Sequence, residues 1–376
     1  MQISSVFNLF KRGSEHGISF LNGAVGDSLK NTPLEISMGF YEDNKRLVLD
    51  KDLPNNYFKN NQNNPKKVFQ PKICLLIHGL VNNEYIWDFS ANAGNYGTFL
   101  EKDLNYTPFY VRYNTGLHIS DNGKAFSELV QSLCDNYPVE ISEITIIAHS
   151  MGGLVTHSAC HYALTNAAKT TPNPSFEGGE QTPQLSKEGL GVVNTWTEKV
   201  KNIFLLGTPH LGSFLEKFAN VTTSILAKVP NWQTRLVGKV LNWRSEGIKD
   251  LRFGYLSEDN WKNQNTDEFL SNNKTEIKTL DNADYHVISG QLGKDEKSWL
   301  TVLFGDILVH EKSAFAGNLA GNLAGNLAGN LAGNSDKSEN KKAPFNIKNQ
   351  HTFPSTNHFA LTSSQKVYDK IAEWLR

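Results

Sequence analysis

The chain has 376 residues, 39% of them hydrophobic, enough for one large α/β domain or two ordinary ones around a sizeable core. Basic and acidic side chains number 37 and 38, so no charge excess recommends nucleic acid as a partner. Three cysteines, Cys74, Cys134 and Cys160, are an odd number spread over expected strands and helices, which argues against a disulfide framework and for a reducing compartment.

Met1–Phe10 is mildly apolar and is followed by Lys11-Arg12, the reverse of the order in a secretory signal. No apolar run reaches the roughly 18 residues that span a bilayer. The expectation is a cytoplasmic protein, with transient contact at a membrane surface left open. Residues 1–33 read as a helical lead-in interrupted by Gly17, Gly23 and Gly26, and residues 34–376 as the main domain. Glu35–Phe40 and Arg46–Leu49 suggest a β-hairpin over Asp43-Asn44, and residues 51–71 a polar loop. Ile73–Ile77 is a buried strand ending in His78-Gly79-Leu80. A helix over Asn92–Lys102, a strand over Pro108–Tyr113 and a helix over Asn122–Tyr137 follow.

Glu143–His149 is a β-branched apolar run, as in a strand covered on both faces. It runs into Ser150, two glycines and a helical pattern to about Ala168. Ala148-x-Ser150-x-Gly152 is the G-x-S-x-G elbow with alanine at its first position. Alone, a small-x-Ser-x-small match is common; between a buried strand and a helix it predicts a serine hydroxyl presented on a sharp turn. Residues 170–190 are a surface insertion, Val192–Val200 a short helix, and Ile203–Leu206 a strand entering Gly207-Thr208-Pro209-His210. From about 213 to 278, apolar residues recur at three- and four-residue spacings, the mark of a helical cap. Tyr285–Ser289 returns to the sheet, and a short helix over Trp299–Leu303 leads to Gly305–Val309. Ser363–Arg376 is an amphipathic helix. Strand and helix alternate, so the expected fold is α/β: a mostly parallel central sheet with helices on both faces, one antiparallel edge hairpin and a helical cap insertion.

Ala316–Asn334 repeats AGNL four times and then reads AGN. Glycine and asparagine in every period disfavour a helix, and the period is far shorter than that of any solenoid. The plain reading is a low-complexity loop lengthened by DNA slippage. Each doubling of a loop costs only about 0.6 kcal/mol.

A serine hydroxyl needs a base to become a nucleophile, commonly a histidine oriented by a carboxylate. On a sheet with this elbow the chain order is Ser, acid, His. Among Asp284, Asp295 and Asp306, position favours Asp306, after the cap and beside an apolar strand. Among His286, His310, His351 and His358, it favours His358, directly before the last helix. His286 is expected to pack within its strand and His351 to lie in a loop. The backbone N–H groups of Met151 and Leu80 are the candidate oxyanion donors. His78, Gly79 and His210 are candidate pocket residues, and His149 a structural one. Asn114, Thr115 and His118 either border an acyl pocket or form a loop hydrogen-bond network. No metal spacing is present and no cofactor is called for.

The run of His78-Gly79-Leu80, Ala148–Gly153, Gly207-Thr208-Pro209-His210-Leu211-Gly212, Gly305-Asp306 and Asn357-His358-Phe359 resembles bacterial α/β-hydrolase esterases and lipases. The branch is the one similar to GPI inositol-deacylases and triacylglycerol lipases, and Arg112–Ser120 and Ile248–Arg252 look like it too. The family's acid segment usually has Gly where Ile307 stands and Pro where His310 stands. The resemblance implies a serine carboxylic-ester hydrolase acting through an acyl-enzyme on a small-molecule or lipid ester. Cap aromatics Phe214, Phe218, Trp232, Trp243 and Trp261 serve either as a lid that meets lipid or as packing. An acyltransferase with the same triad and a non-catalytic binding protein on this fold are the alternatives.

Overall fold

A computed structural model describes residues 18–19, 22–23, 26–42, 44–60, 68–89, 94–170, 196–209, 245–262, 276–291 and 345–376. Asp306, His210, the AGNL repeat, the expected segments at 299–309 and most of the expected cap therefore lie outside the described residues.

Among the described residues eight strands form one sheet: β1 (Gly39–Glu42), β2 (Lys45–Arg46), β3 (Lys72–Ile77), β4 (Tyr106–Arg112), β5 (Glu143–His149), β6 (Val200–Leu206), β7 (Asp284–Gln291) and β8 (Ile347–Pro354). Their spatial order is β2-β1-β4-β3-β5-β6-β7-β8. The β1–β2 and β1–β4 pairs are antiparallel, and every pair from β4 through β8 is parallel. This is the α/β-hydrolase sheet. The chain leaves β3 toward β4 on one side and leaves β5 toward β6 on the other. β3 and β5 are neighbours, so a crevice opens beyond their carboxyl ends, where ligands bind in open α/β sheets.

Side-chain alternation divides the core into two layers. Ile73, Leu75 and Ile77 of β3, Ile144, Ile146 and Ala148 of β5, and Ile203 and Leu205 of β6 point to one face. There they meet α3 (Ile119–Asn136) and α4 (Met151–Thr170) through Phe126, Val130, Val155, Ala159 and Cys160. Cys74, Leu76, Ile147, Phe204 and Leu206 point to the other face, onto α2 (Tyr96–Leu104) and α7 (Gln365–Leu375) through Leu100, Val367 and Ile371. Cys160 is thus apolar filler, as expected from its helical position.

Five local expectations are corrected. The polar loop at 51–71 contains a helix, α1 (Leu53–Asn60), anchored by buried Leu53 and Tyr57. Both hairpin strands are shorter than expected, the first starting later at Gly39 and the second one residue earlier at Lys45, closing at Tyr41↔Arg46 and Glu42↔Lys45. The helix expected from Asn92 starts at Tyr96, because Asn95 and Thr98 form a capping box: the Thr98 N–H donates to Asn95 Oδ1 at 3.0 Å and the Asn95 N–H to Thr98 Oγ1 at 2.9 Å. The helix expected at Val192–Val200 is described only as α5 (Trp196–Lys199), and Val200 already belongs to β6. His351 is not in a loop. It lies in β8, opposite Ile288 of β7, with its ring against Phe353 at 4.4 Å.

His286 packs inside the sheet as expected. Its ring stacks on Phe204 at 4.4 Å and faces Trp374 at 5.5 Å. Its Nε2–H donates to Asn202 Oδ1 and its Nδ1 accepts from Asn349 Nδ2, both at 3.0 Å. Burial lowers its pKa to about 4. The unfolded chain therefore binds more protons than the folded one between about pH 4 and 6.5. The stability held by a neutral imidazole is complete above pH 6.5 and declines as pH falls. We expect the wild-type urea midpoint to drop from pH 7.5 to pH 5.0, and His286→Gln to lessen that drop. The share removed is about 1.4 kcal/mol per pH unit in this window. Equal pH dependence in both proteins would remove His286 from the set of linked groups.

Candidate active site

β5 delivers Ser150 to the crevice. The residue has φ +53, a left-handed conformation uncommon outside glycine, between the end of β5 and the first residue of α4. Its N–H donates to Leu206 O of β6 at 2.9 Å, and its carbonyl accepts from Gly153 N at 3.0 Å. The turn forces the chain against its neighbours. A Cβ on Gly152 would lie 2.6 Å from His78 O and 2.7 Å from Ile77 O, and one on Gly153 would overlap Thr208 Oγ1. Only small residues fit, which is the reason for the spacing read in the sequence.

β3 delivers the facing turn. A Cβ on Gly79 would stand 2.9 Å from Ser150 Cβ and 3.1 Å from His149 Nδ1, so its backbone runs directly along the elbow. Leu80 follows, buried. His78 is buried beneath the turn, stacked on Tyr113 at 4.6 Å, with its Nδ1 at 2.8 Å from Gly79 O. The Tyr113 hydroxyl donates to His78 O at 2.9 Å. Burial takes the His78 pKa down to about 3, so the ring is neutral. Beyond this turn the Glu84–Trp87 helical turn is tied to β4 by a buried pair: Arg112 Nε donates to Glu84 Oε2 at 2.7 Å.

His358 comes from the segment after β8, at the head of the Phe359–Thr362 turn, and is 6% exposed. It packs on Gly207, the residue after β6, whose φ is +61. A Cβ there would approach the His358 Nδ1 to 2.8 Å. Gly207 itself donates to Ile288 O at 2.8 Å. His149, one position before Ser150, joins the two segments: its Nε2–H donates to His358 O at 3.0 Å, and the two rings lie 4.5 Å apart. Burial lowers the His149 pKa to about 4, and burial, with a smaller contribution from His149, holds His358 well below the ordinary imidazole value. Both rings are neutral at pH 7, the form in which an imidazole can accept a proton.

The structure thus brings Ser150, Gly79, Leu80, Met151, Thr208, His149 and His358 to one end of the sheet. Asp284 opens β7 at the opposite end, paired with Lys348 at 2.6 Å. Asp306 and His210 lie outside the described residues. Asn114 and Thr115 enter a loop network: Asn114 Nδ2 donates to Gly26 O at 3.1 Å, and Thr115 Oγ1 accepts from Val81 N at 3.1 Å. His118 is tied to α6 (Glu246–Phe253) and its flank: its Nδ1 is 3.0 Å from Asp250, and its ring stacks on Trp261 at 3.8 Å. The hold of His149 on His358 was not legible in the sequence, since those residues stand far apart in the chain. The one available signal was the histidine adjoining the nucleophile. Among the described residues, no group of three or more His, Cys, Asp or Glu is placed to hold a metal.

A Ser held in a left-handed elbow, beside a glycine turn and a neutral histidine, is the arrangement of a serine hydrolase. Residues 69–246 match the family described as "Putative serine esterase (DUF676)". This serine-esterase segment is just under half of the chain. It runs from the approach to β3 to the first residue of α6, so it holds the His78-Gly79-Leu80 turn and Ser150, and ends before Asp306 and His358. It supports serine hydrolase activity, and over it the resemblance to α/β-hydrolase esterases and lipases holds. No curated protein matches the chain. Among solved structures, the chain is similar to the Bacillus licheniformis lipase BlEst2 at 14% identity, covering 82% of this chain and 93% of that one, with TM-score 0.43. It is also similar to the Pyrococcus furiosus esterase Pf2001 at 12% identity, over 81% and 83%, with TM-score 0.41. These overlaps are loose; the fold assignment stands on the order and direction of the strands.

Gly207 is the sharpest structural test of the site. Gly207→Ala places a side chain at positive φ and against the His358 ring. We expect it to cost about 1–3 kcal/mol in urea unfolding and to shift the His358 imidazole C–H resonances. Unchanged stability with unshifted resonances would refute the close packing of His358 on this turn.

Proposed function

We propose that the protein is a serine carboxylic-ester hydrolase acting through an acyl-enzyme. Ser150 Oγ attacks the ester carbonyl carbon, and the carbonyl π electrons move onto oxygen. His358 takes the hydroxyl proton and returns it to the leaving alkoxide. Asp306 orients His358 and stabilises its cationic form. The N–H groups of Leu80 and Met151 bind the oxyanion, aided by the amino end of α4. Water, deprotonated by His358, then attacks the acyl carbon and restores Ser150.

The observation that carries this reading is the elbow itself: a serine at positive φ between β5 and α4, with the Gly79 backbone against its Cβ and His358 one residue's contact away through His149. Asp306 is supported by chain order, since it falls between β7 and β8, where the acid of this fold is expected relative to serine and histidine. The segment from about 213 to 278 is read as a helical cap, and residues 1–33 as a lead-in. The proposed substrates are lipid or other apolar acyl esters, met in the cytoplasm with transient contact at a membrane surface through the cap. No cofactor enters the mechanism. Among the described residues no helix is long and apolar enough to cross a membrane.

Ser150→Ala is expected to lower hydrolysis of a short p-nitrophenyl ester by about 10⁶ and to abolish labelling by a fluorophosphonate. Asp306→Asn should lower turnover by about 10⁴. Hydrolysis by Ser150→Ala close to the wild-type rate would overturn the mechanism, and full activity in Asp306→Asn would remove that residue from it.

A further inference from the structure

Val81, the residue after the proposed oxyanion donor, has φ +57. For a β-branched side chain this is a costly conformation, about 1–3 kcal/mol, kept only where the surroundings fix it. Its N–H donates to the Thr115 hydroxyl at 3.1 Å. That bond fixes the plane of the peptide joining Leu80 to Val81. The carbonyl of the same peptide accepts from Asn82 Nδ2 at 3.0 Å. In the preceding peptide, Gly79 O lies 2.8 Å from His78 Nδ1. Three of the four polar groups of the two peptides flanking the Leu80 Cα are therefore held by side chains. The fourth is the Leu80 N–H.

Of the three holders, Thr115 is the one that comes from another strand connection. It is 1% exposed and belongs to the loop after β4, which is itself fixed on several sides. Gly116 N donates to Asn114 Oδ1 at 3.0 Å, Asn122 Nδ2 donates to Asn114 O at 2.9 Å, and Gly247 N of α6 donates to Gly116 O at 3.1 Å. Gly23 of the lead-in closes the assembly. A Cβ there would meet the Thr115 hydroxyl at 2.9 Å and overlap the Val81 side chain.

We infer that Thr115 is a positioning residue for the oxyanion site: its hydroxyl holds the strained Val81 peptide so that the Leu80 N–H is aimed before substrate arrives. The inference rests on the role proposed above for Leu80. Preorganised donors contribute in the transition state more than in the ground state, so the effect belongs in kcat and not in KM. A side chain acting only by packing would not separate variants by whether they can accept a hydrogen bond.

The experiment compares Thr115→Val, which keeps the shape and loses the acceptor, with Thr115→Ser, which keeps the acceptor. Thr115→Ala, which cannot overfill the site, serves as a second acceptor-free variant if the valine protein does not fold. Steady-state hydrolysis of a short p-nitrophenyl ester is measured for the full chain. We expect kcat to fall roughly 10- to 100-fold in the acceptor-free variants with KM within about twofold, below the full loss of one donor. Thr115→Ser should stay within about threefold of wild type. Wild-type kcat in an acceptor-free variant, or an equal loss in Thr115→Ser, would overturn the inference while Ser150-dependent hydrolysis left the proposed function intact. Hydrolysis that persists in Ser150→Ala would instead remove the function and the inference together.

Discussion

The structure depends on backbone approaching backbone at the carboxyl end of the sheet. Strand pairing holds β3, β5 and β6 side by side, yet each must turn away at nearly the same level, β3 toward α2, β5 into α4 and β6 through Gly207. The turns fit only because Gly79, Gly152, Gly153 and Gly207 carry no Cβ at the points of contact. The same crowding pushes Ser150 into the left-handed region, where its hydroxyl is lifted off the strand. Strain at the serine and the absence of side chains around it are one constraint seen from two sides.

Burial adds an electrostatic consequence. Five histidines of the described core, His78, His149, His157, His286 and His358, sit where a charge would be poorly solvated, and all have depressed pKa values. For His286 and His149 this keeps hydrogen-bonding patterns fixed. For His358 it keeps a lone pair available at neutral pH. Arg112 and Glu84 form a buried pair that ties the far side of the β3 turn to β4.

Much of this was written plainly in the chain. Runs such as Ile73–Ile77, apolar at every position, and Ile144–Ala148, apolar but for buried Thr145, reflect a sheet covered on both faces, and they announced the central strands. The Ala148-x-Ser150-x-Gly152 spacing located the elbow, and the position ahead of the last helix pointed to His358, which lies at the same end of the sheet as Ser150. β8 escaped notice because it is an edge strand with polar residues at Lys348, Asn349 and Gln350, a pattern that reads as loop, and His351 was misplaced with it. α1 was hidden by its asparagines, although Leu53 and Tyr57 are its buried anchors. The role of Thr115 was undecidable from spacing, since the partner of its hydroxyl is set by where β3 and β4 end relative to each other. Of the two open readings for Asn114 and Thr115, the hydrogen-bond network is the one their contacts match.

The bond from His149 to the carbonyl of His358 spans 209 positions of sequence and yet ties the proposed base to the residue next to Ser150. In the proposed enzyme, that bond gives the imidazole a reference on β5, the strand that carries the serine. The length of the connection between β7 and β8, the AGNL repeat included, does not enter that bond.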